Sequence, residues 1–145
     1  MTANIEDIRI LLKLSPQATA VMDTRTAGMS VSDHKKIDNA EGTFMALHVE
    51  CIGECNLGHI FSLAHYYEQH CDLMRDPEML FIKTEDGGYY PVEIWQDAVN
   101  SHGVCVLIED GKAVSIDETE QADMTVFAEA WLGNIWVQQG LGEAL

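Results

Sequence analysis

The 145-residue sequence predicts a single α+β domain: a mainly antiparallel, twisted sheet of about five strands, two main helices over 59–71 and 121–138 packed on one face, and a short N-terminal helix. Three observations predict it. Apolar runs of strand length recur from Phe44 onward, Gly-containing turns punctuate them as hairpins, and a helix-spaced apolar stripe closes the chain.

Asn4 can cap a first helix in which Ile5, Ile8, Leu11 and Leu12 share a face, and Ser15-Pro16 reads as its end. Gln17 to Ala40 is poor in large apolar residues. It reads as loop with one short strand at Thr19 to Asp23, and His34, Lys35 and Lys36 read as solvated surface. Phe44 to Ile52 alternates Met45, Leu47, Val49 and Cys51 with Phe44, Ala46, His48, Glu50 and Ile52, a strand with both faces at least half buried. Ile60, Leu63, Ala64, Tyr67 and Cys71 fall at helical spacing, with Glu68, Gln69 and Asp72 outside the stripe. Pro77 cannot continue a helix, so the chain is expected to turn between Asp72 and Glu78.

Met79 to Thr84 is a strand, Asp86-Gly87-Gly88 a tight turn, and Tyr89 to Trp95 the return strand, where Pro91 predicts an edge or a bulge. Val104 to Ile108 and Ala113 to Ile116 form a second hairpin around Asp110-Gly111. Asp117 or Thr119 opens the last helix, where Met124, Phe127, Ala128, Trp131 and Ile135 recur on one face and Gly140 marks the exit. The expected core is Leu47, Val49, Leu63, Tyr67, Phe81, Ile94, Val106, Phe127 and Trp131. Residues 1–40 form the helix and loop-rich segment, and 41–140 the core of the one domain.

A chain of this length can bury roughly 70% of its unfolded surface without a staple. Cys51, Cys55, Cys71 and Cys105 come with an N-terminus that carries Glu6 and Asp7 where a leader would be basic, so free thiols in a reducing cytoplasm are expected. No apolar run approaches the ~20 residues of a membrane span. The formal net charge is −16, from 24 acidic and 8 basic residues. It is uneven: Thr84 to Leu145 holds 12 acids against Lys112 alone, net −11, and Met1 to Lys83 holds 12 acids against 7 bases, net −5. The second half is expected to repel nucleic acid, whose binding rests on Lys and Arg, and to attract basic protein surfaces.

The runs Leu63-Ala64-His65-Tyr66-Tyr67-Glu68-Gln69 and Asp72-Leu73-Met74-Arg75-Asp76-Pro77-Glu78-Met79, then Tyr90-Pro91, Phe127-Ala128, Trp131-Leu132, Asn134-Ile135 and Gln139-Gly140, carry a resemblance. Over roughly Phe44 to Gly140 the chain resembles an uncharacterised family, a domain of unknown function encoded by bacterial plasmids, phages and integrated elements. The resemblance implies a protein from mobile DNA and no particular activity. Trp95-Gln96-Asp97 stands where the family continues with a Gln-Asn-Asp-like segment, keeping the Gln and the Asp.

The patterns that could carry chemistry have plainer readings. His48, Cys51, Cys55 and His59 are zinc-type donors, but His48 and Cys51 point to opposite faces of a strand and Cys-x3-Cys is not the knuckle spacing. Cys71 lies on the apolar stripe beside His70, which diverges from it by about 100° on a helix, so it reads as a small core residue. Glu93 and Asp97 would stand about 13 Å apart on an extended strand, too far for the ~6.5–9.5 Å of an inverting glycosidase pair. No catalytic residue, metal or cofactor is implied.

Two classes of function remain. The first is a non-enzymatic acidic protein-binding module, in its sharper form a nucleic-acid-mimicking decoy acting on a host defence or regulatory protein. Its candidate contact residues are Asp117, Glu118, Glu120 and Asp123 on the last helix, Glu109 and Asp110 on the second hairpin, and the aromatics Tyr89, Tyr90 and Trp95. The second is a small enzyme or ligand-binding domain with its site between 59–71 and the 79–97 hairpin.

Overall fold

Six strands follow one another as an antiparallel meander, each paired with its sequence neighbour: β1 (His34–Ile37), β2 (Leu47–Cys55), β3 (Gly58–Gln69), β4 (Asp72–Thr84), β5 (Tyr89–Gln96) and β6 (Ser101–Val104). The computed structural model describes residues 13–37 and 45–138. Helix α1 (Pro16–Thr26) precedes the sheet, a hairpin of β7 (Val106–Glu109) and β8 (Lys112–Ile116) forms a separate two-stranded sheet, and α2 (Glu118–Gln138) follows. The α+β class is as expected. The expected sheet of about five strands is six plus a separate pair, and the Asn4 helix and the Gly140 exit lie outside the described residues.

The largest correction concerns 59–71, which is not a helix but strand β3. Its middle, Ile60 to His65, is buried on both faces, so it shows no polar/apolar alternation and its apolar residues fit a helical template by coincidence. The turn after it is His70-Cys71 with φ of 52° and 70°, closing the Gln69↔Asp72 pair. Two non-glycine residues thus take the left-handed conformation that a two-residue hairpin demands. Cys71 is therefore exposed at a hairpin tip, not buried.

The expected turn between Asp72 and Glu78 does not occur either. β4 runs through Pro77, which follows a cis peptide bond and sits where the β3–β4 register slips between the Ala64↔Glu78 and Tyr66↔Arg75 pairs. A residue without an N–H is tolerated at such a gap in the ladder. Pro91 obeys the same rule: it lies at the register shift between Leu80↔Glu93 and Phe81↔Pro91, in an interior strand and not at an edge.

Ser15-Pro16 begins a helix. Ser15 Oγ accepts the Ala18 N–H at 3.2 Å and Pro16 occupies the first turn, where its missing donor costs nothing. Segment 17–26 is thus α1, not loop with a strand at Thr19 to Asp23. Its buried positions Ala18, Val21, Met22 and Arg25 keep helical spacing, but the stripe is broken by a small residue and a cation and so does not stand out as an apolar face. At the other end Asp117 Oδ1 accepts the Glu120 N–H at 3.0 Å and starts α2 as expected. The helices are tied together where the Glu129 carboxylate accepts Ser15 N–H at 2.7 Å and Ser15 Oγ–H at 2.5 Å.

Both helices lie on the sheet face formed by Leu47, Val49, Cys51, Phe61, Leu63, Met79 and Phe81, all buried. His65 of that face meets Trp131 of α2 edge-on, and the Tyr89 phenol meets Thr26 and Asp23 of α1. On the opposite face Ile60, Ile82 and Tyr90 are cross-strand neighbours and also buried. The β7–β8 hairpin lies at that end, its tip fixed by Asn56 N–H to Gly111 O at 2.8 Å and Ala113 N–H to Asn56 Oδ1 at 2.9 Å. In the expected core list, Tyr67 and Phe127 are half-buried, while the other members are buried.

Candidate functional site

Among the described residues the hairpin covers one end of the outer face and no helix or hairpin lies on the other. Alternation along the strands puts His34 and Lys36 of β1, His48 and Glu50 of β2, Ser62 and Tyr66 of β3, Arg75 and Glu78 of β4, Glu93 and Trp95 of β5 and His102 of β6 on this open half. Their side chains form a row across all six strands. The His34 and His48 rings stack at 5.6 Å, and His48 meets Tyr66 edge-on at 5.0 Å. Tyr66 is the cross-strand partner of Arg75, whose guanidinium lies 4.9 Å from the Trp95 ring centroid. Trp95 in turn stacks on His102 at 4.8 Å and 7°.

Carboxylates bracket this row and hold its polar members. Asp97, in the 3-10 turn after β5, accepts Arg75 N–H at 2.8 Å, Nε–H at 3.0 Å and Nη2–H at 3.1 Å. The Arg75 hydrogen bonds hold the Asp97 carboxyl below its ordinary pKa, and Asp97 raises that of Arg75. Glu93 Oε2 lies 2.6 Å from His102 Nε2, and Ser62 Oγ–H donates to Glu78 at 2.5 Å. Burial, then Glu78 and Glu50, pushes the Tyr66 phenol up. Burial, then His34 and Lys36, pushes the His48 imidazole down, so it is neutral near pH 7. With Glu50, Glu78, Glu93 and Asp97 against Lys36 and Arg75, the open face is net acidic.

The sequence-predicted residues are divided by this geometry. Trp95 is at the centre of the row. Tyr89 and Tyr90 are fully buried on opposite faces, Tyr89 donating to Asp23 at 2.8 Å, so neither ring is offered to a partner. Glu109 and Asp110 stand at the β7–β8 tip, whereas Asp117, Glu118, Glu120 and Asp123 stand around the start of α2. The length of β8, roughly 16 Å at ~3.3 Å per residue, separates the two groups. At a helix N-terminus such charges also have an ordinary helix-dipole role. His34, Arg75 and His102 carry no contact signal in the sequence, and His48 reads there only as a zinc-type donor. What they share, polar and aromatic residues at every second position of successive strands, needs the strand register to be seen.

A second concavity of about 520 Å³ lies on the helix side, beyond the end of α1, lined among others by Met29, Cys55, Asn56, His59, Phe61 and Lys83. Lys83 pairs there with Asp23 at 3.7 Å. Cys55 and His59 of the predicted zinc-type set line it, while Cys51 is buried and His48 belongs to the open face.

The thiols differ in access. Cys105 Sγ–H donates to Pro91 O at 3.0 Å, and burial pushes its pKa up to about 12. Iodoacetamide should label Cys71 first and Cys55 more slowly in the native protein, and Cys51 and Cys105 only after unfolding. Peptide mapping that found Cys105 labelled at the rate of Cys71 would contradict this burial.

The fold and the open face define a small α+β meander domain with a polar-aromatic row across one half of its outer sheet face. The chain belongs to a family described as a domain of unknown function, DUF6908, whose model matches residues 10–141. No curated protein and no solved structure matches it. Among the described residues no helix is long and apolar enough to cross a membrane.

Proposed function

We propose that this chain is a non-enzymatic protein-binding module that takes a basic, arginine- or lysine-bearing segment of its partner on the open half of the sheet. The supporting observation is the row from His34 to His102 bracketed by Glu50, Glu78, Glu93 and Asp97. It already holds one guanidinium, that of Arg75, between an indole face and a carboxylate. That is the environment in which an incoming arginine is recognised. The net charge of −16 favours the encounter. The resemblance to domains carried by plasmids and phages supports a mobile-element origin and a host protein as partner.

The decoy form of this reading uses a different surface, the start of α2, and one experiment separates them. An arginine-rich peptide and its citrulline counterpart are titrated into the protein and followed by amide chemical-shift changes. Glu50→Gln/Glu93→Gln should weaken the arginine peptide about 3- to 10-fold, as loss of two carboxylates at or near the surface does. Asp117→Asn/Glu118→Gln/Glu120→Gln/Asp123→Asn should leave it within about 2-fold, since Asn still caps a helix. The reverse pattern moves the contact to α2, and equal binding of the citrulline peptide removes charge as the basis.

The 520 Å³ concavity supports a second reading, a small-ligand domain with its site at the end of the β4–β5 hairpin. Shifts confined to Cys55–Phe61 and Lys83–Glu85 on adding a metabolite mixture would favour it.

A further inference from the structure

We propose that the partner's basic segment crosses the open face in extended conformation and presents two cationic side chains four residues apart, one to Glu50 and the other to Glu93. This spacing rests on the peptide-docking reading above and narrows it. Strand register sets it. Glu50 of β2 pairs with Ser62 of β3, Ser62 with Leu80 of β4, and Leu80 with Glu93 of β5, so the four residues form one row perpendicular to the strands. The register slips at Cys51/Gly53, Ala64/Tyr66 and Leu80/Phe81 all fall outside that row. Three inter-strand spacings of ~4.8 Å therefore set the two carboxylate-bearing residues ~14 Å apart.

The floor between them is low, with Ser62 buried and Leu80 half-buried. Glu50 is exposed, and Glu93 engages His102 through Oε2 alone, which leaves its other oxygen as an acceptor. Glu78, one row over, accepts the Ser62 hydroxyl, and Asp97 holds Arg75. Among the described carboxylates of this face, Glu50 and Glu93 are thus the pair offered to a partner. Lys36 stands in the neighbouring row opposite His48 and opposes a cation at Glu50 through its charge. In an extended chain residues i and i+4 share a face and stand ~13–14 Å apart, which matches the row. A helix does not match it. Positions i+7 and i+11 return to one face at ~10.5 and ~16.5 Å, while i+9, at ~13.5 Å, lies on the opposite side.

The test titrates the full chain with three nine-residue peptides of equal charge, each carrying two arginines in a Ser-Gly background, and follows amide chemical shifts. The arginines stand two, four or six residues apart, or ~7, ~14 and ~20 Å when extended. The four-residue spacing should bind about 3-fold or more tightly than the other two, which satisfy only one carboxylate at a time. Glu50→Gln and Glu93→Gln should each bring the three peptides level, and Asp123→Asn on α2 should leave the preference intact. Equal affinity of the parent for all three spacings overturns the assignment and leaves charge-based docking standing. A four-residue preference that survives Glu50→Gln/Glu93→Gln also overturns it. Failure of all three peptides to bind removes the docking reading as well.

Discussion

Gly58→Ala should destabilise the protein by about 3 kcal/mol or more, enough to move its urea midpoint far below that of the parent. Gly58 turns the chain from β2 into β3 with φ of +151°, a region that L side chains rarely adopt. A Cβ built there would stand 1.9 Å from Lys83 O and 2.9 Å from Lys83 C. Both atoms are backbone of β4, the partner strand in the Gly58↔Thr84 pair, so no side chain can swing aside to relieve the overlap. Either β3 and β4 separate at this end or the turn changes shape, and both disturb the central pair of the sheet. Gly111→Ala is the control. It also has positive φ, +76°, but a Cβ there meets nothing within 4 Å, so only the ~1–2 kcal/mol of the left-handed conformation is expected. Equal losses in the two variants would show that the β3–β4 approach at Gly58 is looser than this.

The contrast between those glycines also shows what was legible in the sequence. Asp110-Gly111 announces its hairpin because the turn chemistry is local: φ of 50° and 76° at the two central residues is what this dipeptide favours. The β4–β5 hairpin and the helix from Asp117 were readable for the same reason. Gly58 gave no such signal, since its requirement comes from a carbonyl 25 residues away. The β3 error has the same origin. Ile60 to His65 is buried throughout, both on the face that α1 and α2 cover and on the opposite one, so no polar/apolar alternation marks it as a strand, and His70-Cys71 is not a recognisable turn pair. With β3 misread, the register that aligns His48, Tyr66, Arg75, Trp95 and His102 was out of reach. Trp95, Tyr66 among the clustered aromatics, and the acidic bias of the surface are the hints of the candidate site that the sequence carries.

Trp131→Ala should cost ~3–5 kcal/mol near pH 7, as large-to-small changes in a core do. Trp131 is 7% exposed, and its ring meets His65 edge-on at 5.5 Å and Phe127 at 6.5 Å. The variant should also respond differently to acid. His65 Nδ1–H donates to Ala46 O at 3.0 Å, and burial lowers its pKa from the ordinary 6.5. A histidine whose folded pKa is depressed takes up its proton more readily in the unfolded chain, so the parent loses stability as pH falls through 6.5 toward the folded value. Removing the indole admits water to the ring, relieves the desolvation and brings the folded pKa back toward the unfolded one. The variant then has less of this acid penalty, and the stability gap between parent and variant should narrow as pH falls from 7 through the imidazole range. Urea midpoints measured at several pH values read both effects. An unchanged midpoint at pH 7 would place Trp131 outside the core, and a gap that stays constant with pH would show that Trp131 is not what keeps His65 dry.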